Sequence, residues 1–293
     1  MREELTLRQK ISIGLSVAGL ILLLIGIASF FGSDAEDYFD LFDEVYYGTY
    51  QSADIKSVKI DIDYGDVVIL NGSEFQLKID NVDKENFKME LVNNVLSIRY
   101  DVPVIDSIYM NKGDGAKTRF ELVLPNKMYE ELNLDVFNGS LNIKGVSCNE
   151  LVLNSKMTDT DFEKVNINQS ATIDLSLSDF KAQSCMMYSP QIICGNGYTH
   201  IMKSTLNNLK LEGAMGDVNI ASCLLSGSSR IEGGSGDINI LLSGSKESYG
   251  FSFLSGNKDV TVDSQSYKDY DGKTSDNNIL VDSGRGAIAF KFN

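Results

Sequence analysis

The chain has 293 residues, with 41 Asp and Glu against 26 Lys and Arg, and its formal net charge is -15. This acidity opposes the phosphates of nucleic acids and the anionic headgroups of lipids, so neither class is an expected partner. A single His and four Cys without a CxxC pair argue against the common types of zinc site.

The first predicted element is an uncharged apolar run over residues 11–31, which is long enough to cross a bilayer as one helix. Three basic residues precede this run, whereas the next basic residue after it is Lys56. By the positive-inside rule, residues 1–10 are expected in the cytoplasm and the C-terminal domain outside it. Gly26–Ala28 resembles a signal-peptidase site, so cleavage is the alternative interpretation. The prediction is a single-pass protein of the cell membrane.

An acidic linker over residues 32–54 follows the apolar run. Its apolar side chains recur at helical spacing, which predicts a short juxtamembrane helix. Two roles are open for this helix: it packs as a spacer on the β domain of the same chain, or it binds a partner or the headgroup zone. We expect the spacer role, because the acidity of the segment opposes an anionic membrane surface. The residues at this spacing are Tyr38, Phe39, Leu41, Phe42, Val45 and Tyr46.

Residues 55–293 are expected to form an extracytoplasmic β domain. Apolar and polar residues alternate with a period of two from its start, as at Val58, Ile60 and Ile62, which is typical of half-buried strands. The domain divides into irregular first coils (55–125), regular repeats (126–245) and a C-terminal cap (246–293).

The regular part is marked by the phrase Gly216-Asp217-Val218-Asn219-Ile220, which returns as Gly236-Asp237-Ile238-Asn239-Ile240. Fainter copies place the equivalent of Gly216 at positions 139, 160, 178 and 197, so that the steps up to 236 are 21, 18, 19, 19 and 20. A period near 20 is typical of stacked coils, which bury a continuous core only together. Leucine-rich repeats share this period, but their LxxLxLxxN spacing is absent. The prediction is an all-β, parallel β-solenoid with two short strands in each coil.

At this point the chain resembles a known family. The pieces that carry the resemblance are Tyr64-Gly65-Asp66-Val67, the strand Phe120–Pro125 and the recurrent Gly-Asp-Val/Ile-Asn-Ile turns. They are similar to the bacterial β-strand-repeat family labelled "putative adhesin", a domain of unknown function that often stands behind one transmembrane helix. The resemblance covers roughly residues 55–293. It implies a right-handed β-solenoid at the cell envelope and, in Gram-positive relatives, an association with envelope-stress operons. It implies no catalytic residues.

The acidic position after the corner glycine is the main candidate for chemistry. Stacking in register would place Asp161 beside Asp179 and Asp217 beside Asp237, where like charges are unfavourable unless they are compensated. Calcium is one compensation, and it would make a ladder of these four carboxylates. The other is local, because an Asp at a turn accepts hydrogen bonds from nearby backbone N–H groups. We expect the turn role for this series, which also includes Asp66, and no resident metal.

Three weaker motifs are considered. Asp269–Gly272 resembles the start of a calcium loop, but Leu280 stands where a bidentate Glu belongs. His200 follows a turn and is expected to be a strand residue rather than a catalytic base. Two S-x-x-K matches, at Ser243 and Ser255, lack companion motifs and are taken as chance.

The four cysteines are expected to be small buried residues. Cys185 and Cys223 fall two coils apart, a separation of roughly 10 Å that exceeds the reach of a disulfide. The set consists of Cys148, Cys185, Cys194 and Cys223.

The sequence thus predicts no catalytic site and no cofactor. The expected function is that of an interaction or scaffold module of the bacterial envelope, which acts in adhesion or by engaging another membrane protein. The partner is a protein or a cell surface. The alternative is a polysaccharide-active enzyme that uses paired carboxylates, although the chain has no Trp to stack on sugars.

Overall fold

The computed structural model describes residues 41–47, 54–102, 117–255, 260–267, 270–271 and 275–292. Within these ranges the chain is all β apart from one 3-10 turn, Lys246–Ser248. None of the helical structure in the described part is long and apolar enough to span a membrane. The predicted transmembrane helix at residues 11–31 lies outside the described residues and stays a prediction.

The strands are numbered in chain order. They are β1 (Leu41–Tyr47), β2 (Ser57–Gly72), β3 (Gln76–Asp83), β4 (Phe87–Val92), β5 (Val95–Tyr100), β6 (Arg119–Pro125), β7 (Met128–Lys144), β8 (Ser147–Glu163), β9 (Asn166–Leu175), β10 (Phe180–Gln183), β11 (Met186–Tyr188), β12 (Pro190–Cys194), β13 (Thr199–Met202), β14 (Thr205–Asn207), β15 (Lys210–Gly213), β16 (Val218–Ser226), β17 (Ser228–Gly233), β18 (Ile238–Leu242), β19 (Gly250–Ser255), β20 (Val260–Val262), β21 (Gln265–Tyr267), β22 (Tyr270–Asp271), β23 (Asn278–Gly284) and β24 (Ile288–Phe292).

Parallel pairing stacks these strands into three walls around one core. The first wall runs through β2, β7, β8, β9, β12, β15 and β17. The second runs through β2, β7, β8, β10, β13, β16 and β18. The third is shorter and joins β7, β8, β9, β11, β14 and β16. The all-β, solenoid-like fold is therefore confirmed.

Each central coil from β7 to β16 carries three strand segments, whereas two were predicted. The segments of the third wall, such as Met186–Tyr188 and Thr205–Asn207, are only three residues long. Three residues place one side chain in the core, as at Met187 and Leu206. A single apolar position gives no period-two signal, so the sequence pattern showed only the two longer walls.

The two corners that flank the third wall use the left-handed backbone region. At the corner after the second wall, φ is between 48° and 70° at Gly145, Lys164, Ser184, Lys203 and Ser222. At the corner that returns to the first wall, φ is between 44° and 70° at Ser189, Asn208 and Gly227. Left-handed residues cost about 1–2 kcal/mol each when they are not glycine, so the stack of coils holds them in this conformation.

At the N-terminal end, the order of coils in space departs from the order in the chain. β2 lies between β7 on one side and the coil made of β5 and β6 on the other. Beyond that outer coil, β4 pairs antiparallel with β5, β3 pairs antiparallel with β6, and β1 pairs antiparallel with β3.

The C-terminal end repeats this arrangement. β23 and β24 lie between the coil of β17 and β18 and the outer pair of β19 and β20. Two short antiparallel strands, β21 and β22, follow the outer pair. The rings of Phe251, Phe253, Phe290 and Phe292 contact one another at centroid distances of 5.4–5.9 Å. An aromatic cluster therefore fills the core where the inserted strands meet the outer coil.

The helix predicted in the acidic linker is wrong where the structure describes that segment. Leu41–Tyr47 is strand β1, which pairs with β3. The Asn81 N–H donates to Asp43 Oδ1 at 2.8 Å, and the Tyr46 ring lies 6.3 Å from that of Phe87. A helix of seven residues is marginal when it stands alone. The edge of β3 offers the backbone of this segment hydrogen-bond partners along its length, which favours the strand.

Candidate functional site

The corner between the first and second walls, which we call the glycine corner, is where coils approach most closely. A Cβ on Gly216 would lie 1.9 Å from the Gly197 oxygen, and one on Gly286 would lie 1.8 Å from the Gly236 oxygen. No side chain fits at such distances, because the carbonyl of the preceding coil occupies the space. The residues at this position are Gly65, Gly139, Thr158, Ser178, Gly197, Gly216, Gly236 and Gly286.

Two coils have hydroxyl residues at the glycine corner. Thr158 and Ser178 are both fully buried. The Thr158 N–H donates to Ser178 Oγ at 2.8 Å, and Thr158 Oγ1 donates to the Val136 carbonyl at 2.8 Å. At these two corners, side-chain hydrogen bonds between coils replace the close contact of backbones that glycine permits.

Where an acidic residue follows the corner, it bonds to the next coil. The Tyr198 N–H donates to Asp179 Oδ1 at 2.8 Å, and the Asp237 N–H donates to Asp217 Oδ1 at the same distance. The Ala287 N–H donates to Asp237 Oδ1 in the same way at 2.8 Å. The predicted role as hydrogen-bond acceptor is right, but the donor lies one coil further along instead of within the same turn. Each carboxylate therefore ties two coils together.

One predicted member of the series is wrong. Asp161 pairs with Asn142 and Lys181 on the outer surface of the second wall, away from the corner. The corner position belongs to Asp159, whose Oδ1 accepts the Asp179 N–H at 3.2 Å. With this correction, the steps between corners from Gly139 to Gly236 are 19, 20, 19, 19 and 20.

The pattern of apolar residues in the sequence already favours a corner at Thr158 over one at Thr160. Residues two and four positions after a corner face the core, as Val218 and Ile220 do. A corner at position 160 would bury Lys164, whereas a corner at position 158 buries Thr160 and Phe162.

The hydrogen bonds of the corner carboxylates do not decide whether these residues also bind a metal ion, and the prediction of no resident metal stays a prediction. Within the described ranges of the chain, no group of three or more His, Cys, Asp or Glu side chains is arranged to hold a metal ion.

Large apolar side chains are exposed along the glycine corner. Met157, Leu177, Tyr198 and Met215 have exposed fractions of 43%, 59%, 60% and 59%. They come from four successive coils, which spans roughly 14 Å at the spacing of β strands. We call these four residues the corner ridge. The carboxylates of the corner lie beside it, and sequence reasoning missed it because one apolar residue per coil gives no local pattern.

A concave surface lies at the N-terminal end. It is a groove of about 680 Å³ between β1 and β4, with Phe87, Met89 and Ile98 among its lining. Its charged lining residues are Glu44, Lys59, Asp61, Lys84, Lys88, Glu90 and Arg99.

Carboxylates gather next to this groove. Burial raises the pKa of Asp63 against a hydrogen bond from the Val102 N–H at 3.0 Å, and the nearby Asp101 and Asp61 raise it further. The side chain of Asp135 is exposed, but partial desolvation by its neighbours on the wall raises its pKa, and the charge of Asp61 raises it further. Raised carboxyl pKa values of this kind are one of the marks of a catalytic acid as well as of a crowded surface.

The cysteines are buried and free, as predicted. Cys185, Ser204 and Cys223 stack inside one corner, where the Cys185 N–H donates to Ser204 Oγ at 3.0 Å and the Ser204 N–H donates to Cys223 Sγ at 3.4 Å. Burial raises the pKa of the Cys185 thiol to about 11. These thiols therefore act as packing and hydrogen-bonding groups rather than as nucleophiles.

The remaining motifs are scattered. His200 lies in β13, half-buried, between Lys181 and Asn219 of the adjacent coils, so its prediction as a strand residue is confirmed. Ser243 lies just before the 3-10 turn. The motif at Ser255 and the loop that begins at Asp269 lie partly outside the described residues. Within the described residues, His200 and Ser243 share no strand pair and no hydrogen bond with a corner carboxylate.

One family model and several solved structures match this chain. The family model for the Toastrack DUF4097 domain matches residues 55–289. A "putative adhesin" of Bacteroides fragilis is 12% identical, with a TM-score of 0.39, over 87% of this chain and 97% of that chain. A "putative adhesin" of Parabacteroides merdae is 14% identical, with a TM-score of 0.36, over 85% and 95%. A "putative cell adhesion protein" of Clostridium sporogenes is 14% identical, with a TM-score of 0.27, over 87% and 100%. No curated protein matches.

Proposed function

The chain belongs to the Toastrack DUF4097 family, and we propose that it is a non-enzymatic interaction module of the bacterial cell envelope. In this proposal, residues 11–31 anchor it in the membrane and the right-handed solenoid stands outside the cytoplasm. The length of the apolar run and the basic residues before it support the anchor. The bound partner is a protein or another cell surface.

The corner ridge is the observation that carries this proposal. Exposed Leu, Met and Tyr side chains beside charged groups have the anatomy of a protein interface, with an apolar centre and a polar rim. Tyr198 is the type of aromatic anchor that dominates binding energy. Two ridge residues, Tyr198 and Met215, flank Gly197 and Gly216, where the neighbouring coil leaves no room for a Cβ. The other two, Met157 and Leu177, flank the buried side chains of Thr158 and Ser178. Binding there orders few groups, which lowers its entropic cost.

Crosslinking in intact cells tests this role. The full chain with Leu177→Ser and Met215→Ser is compared with a Leu224→Ser control, which removes an apolar residue of 45% exposure from the third wall. We expect the double variant to lower the yield of specific crosslinked partners by about tenfold or more. Equal yields from the double variant and the control would remove the corner ridge as the binding surface.

The anchor is tested separately. Deletion of residues 1–31 is expected to move the protein from the membrane fraction to the soluble fraction. If the chain without residues 1–31 stays in the membrane fraction after a carbonate wash, the proposed anchor is wrong. The proposed binding at the corner ridge would not be affected by that result.

A second function, cleavage of a polysaccharide, has one observation in its favour. Asp63 and Asp135 both have raised pKa values close to a groove, as a general acid requires. Desolvation is the main cause of both raised pKa values, although Asp135 is exposed, and Asp63 already accepts a structural hydrogen bond from the Val102 N–H. Release of reducing ends from envelope polysaccharide by the full chain, and its loss in Asp63→Asn, would establish the enzyme in place of the binding module.

A further inference from the structure

Strand β4 is an edge strand at the N-terminal end of the solenoid. It pairs antiparallel with β5, and no other strand of the described ranges pairs with it. A free edge of six residues offers a row of backbone donors and acceptors to another strand.

The side chains of β4 alternate between two faces. Phe87, Met89 and Leu91 are half-buried and pack against the core, whereas Lys88 and Glu90 are exposed. A further strand beside β4 would extend the end layer of the core over the three apolar residues.

The charged face of β4 is unbalanced on its own sheet. Lys88 stands opposite Arg99 of β5, and Glu90 stands opposite Ser97. Arg99 pairs with Asp101 at 2.7 Å, while Lys88 makes no ion pair within the described part of the chain. Like charges opposite each other are unfavourable, so a carboxylate on the free side of Lys88 would stabilise it.

We infer that β4 pairs antiparallel with β4 of a second copy of this chain, about a two-fold axis at Met89. In this register, Lys88 faces Glu90 of the second copy and Glu90 faces Lys88 of the second copy. On the other face, Phe87 meets Leu91 and Met89 meets Met89. The strand is therefore complementary to itself in charge and in apolar character, as a closed two-fold interface requires.

The neighbouring registers lack this complementarity. A shift by one residue places exposed charges against the apolar face. A shift by two residues places either Lys88 against Lys88 or Glu90 against Glu90, which is repulsive. Charge selects one register, and the dimer joins the first walls of two solenoids end to end.

Charge exchange tests the pairing. The full chain is studied in detergent micelles by sedimentation equilibrium. Lys88→Glu alone and Glu90→Lys alone each turn two attractive pairs into repulsive ones, and we expect each to weaken the dimer about tenfold. The double variant, Lys88→Glu with Glu90→Lys, restores the pairs with their signs exchanged and is expected to return the dimer to its original strength. A monomer at all concentrations, or a dimer that ignores these charges, would overturn the inference.

Disulfide trapping tests the register in cell membranes. Residues opposite each other in an antiparallel pair have Cα atoms about 4.5–5.5 Å apart, within reach of a disulfide. Met89→Cys is therefore expected to give a covalent dimer on mild oxidation. Leu91→Cys is the matched control, because its two copies would lie about 14 Å apart in this register. The four native cysteines are buried and contribute no background. A dimer from Leu91→Cys but not from Met89→Cys would refute the register.

Whether β4 forms this dimer does not depend on the proposed envelope function. The corner ridge lies away from β4, so Leu177→Ser with Met215→Ser is expected to leave the dimer unchanged.

Discussion

The central coils and the two ends of this solenoid solve the same packing problem in different ways. From β7 to β18, each coil packs on the one that precedes it in the chain, with a step of 19 or 20 residues. At each end, an inserted strand lies one coil inside the outer layer. At the N-terminal end this strand is β2, between β5 and β7. At the C-terminal end it is β23, so that Arg230 pairs with Leu280 across 50 residues. The centre therefore grows by repetition, whereas the ends are closed by long-range pairing.

The difference has an energetic meaning. In the centre, stability is close to a sum of contacts between neighbouring coils. At the ends, the inserted strand holds two layers together, and its removal separates them. Four experiments probe these two modes of packing, and their expected effects range from loss of a whole layer to a small shift in melting temperature.

The largest effect is expected from removal of the inserted C-terminal strands. A chain that ends at Asn277 lacks β23 and β24, which bury Ile279, Val281, Ile288 and Phe290. Burial of four such side chains contributes roughly 6–12 kcal/mol. We expect amide protection in β19 to fall to that of an unfolded chain in hydrogen exchange.

A longer deletion is the control for that experiment. A chain that ends at Ser245 also loses the outer coil, and β17 and β18 are expected to keep their protection. If β19 stays protected in the shorter deletion, the inserted strands do not hold the end together.

The centre is most sensitive at the glycine corner. Gly216→Ala forces a Cβ to within 1.9 Å of the Gly197 oxygen, and we expect a loss of about 3 kcal/mol or more in the free energy of unfolding. Gly213→Ala is the matched control, because its nearest contact is the Val218 side chain at 3.4 Å. Urea denaturation of both variants measures the difference. Equal stabilities would show that the coils separate easily.

The carboxylate ladder contributes less per residue. Asp217→Ala removes the acceptor of the Asp237 N–H, and we expect a cost of about 1–2 kcal/mol. Asp161→Ala is the control, because Asp161 lies on the outer surface of the second wall and not at the corner. We expect it to change the free energy of unfolding by no more than about 0.5 kcal/mol. A reversed ranking in thermal denaturation would restore the corner assignment that the structure corrects.

The smallest effect is expected where the centre meets the N-terminal end. Partial desolvation raises the pKa of the exposed Asp135 above its ordinary value of 3.8, and the charge of Asp61 raises it further. The folded chain therefore binds this proton more tightly than the unfolded chain does. Its contribution to stability is present below pH 3.8 and is lost as the pH rises through the raised pKa. Asp135→Asn is therefore expected to raise the melting temperature at pH 7 by less than about 2 °C, and not at about pH 3. An equal gain at both pH values would point to packing instead of charge.

The centre was largely predictable from the sequence, because local rules suffice there. The repeated phrase at Gly216 and Gly236 indicated the period and the corner. One coil failed, since Thr158-Asp159 and Thr160-Asp161 are two copies of the same dipeptide and only the core positions two and four residues later distinguish them.

The ends were not predictable in the same way. Pairing of β2 with both β5 and β7, or of β23 with both β17 and β19, depends on contacts between distant segments that carry no common period. β1 shows a related limit, since its apolar residues also fit a helix and only the edge of β3 decides for a strand. The corner ridge was equally hidden, because it appears only when successive coils are stacked.

The inserted position of β23 and β24 also has a consequence for biosynthesis. A chain leaving the ribosome or a translocon emerges from its N-terminus, so β19 and β20 appear before the strands that belong beneath them. The outer coil stays open until β23 and β24 are released. A product that stops early exposes Phe251 and Phe253, which are buried in the finished protein. Quality-control proteases degrade chains that expose such surfaces, so a chain without β23 and β24 is expected to be removed.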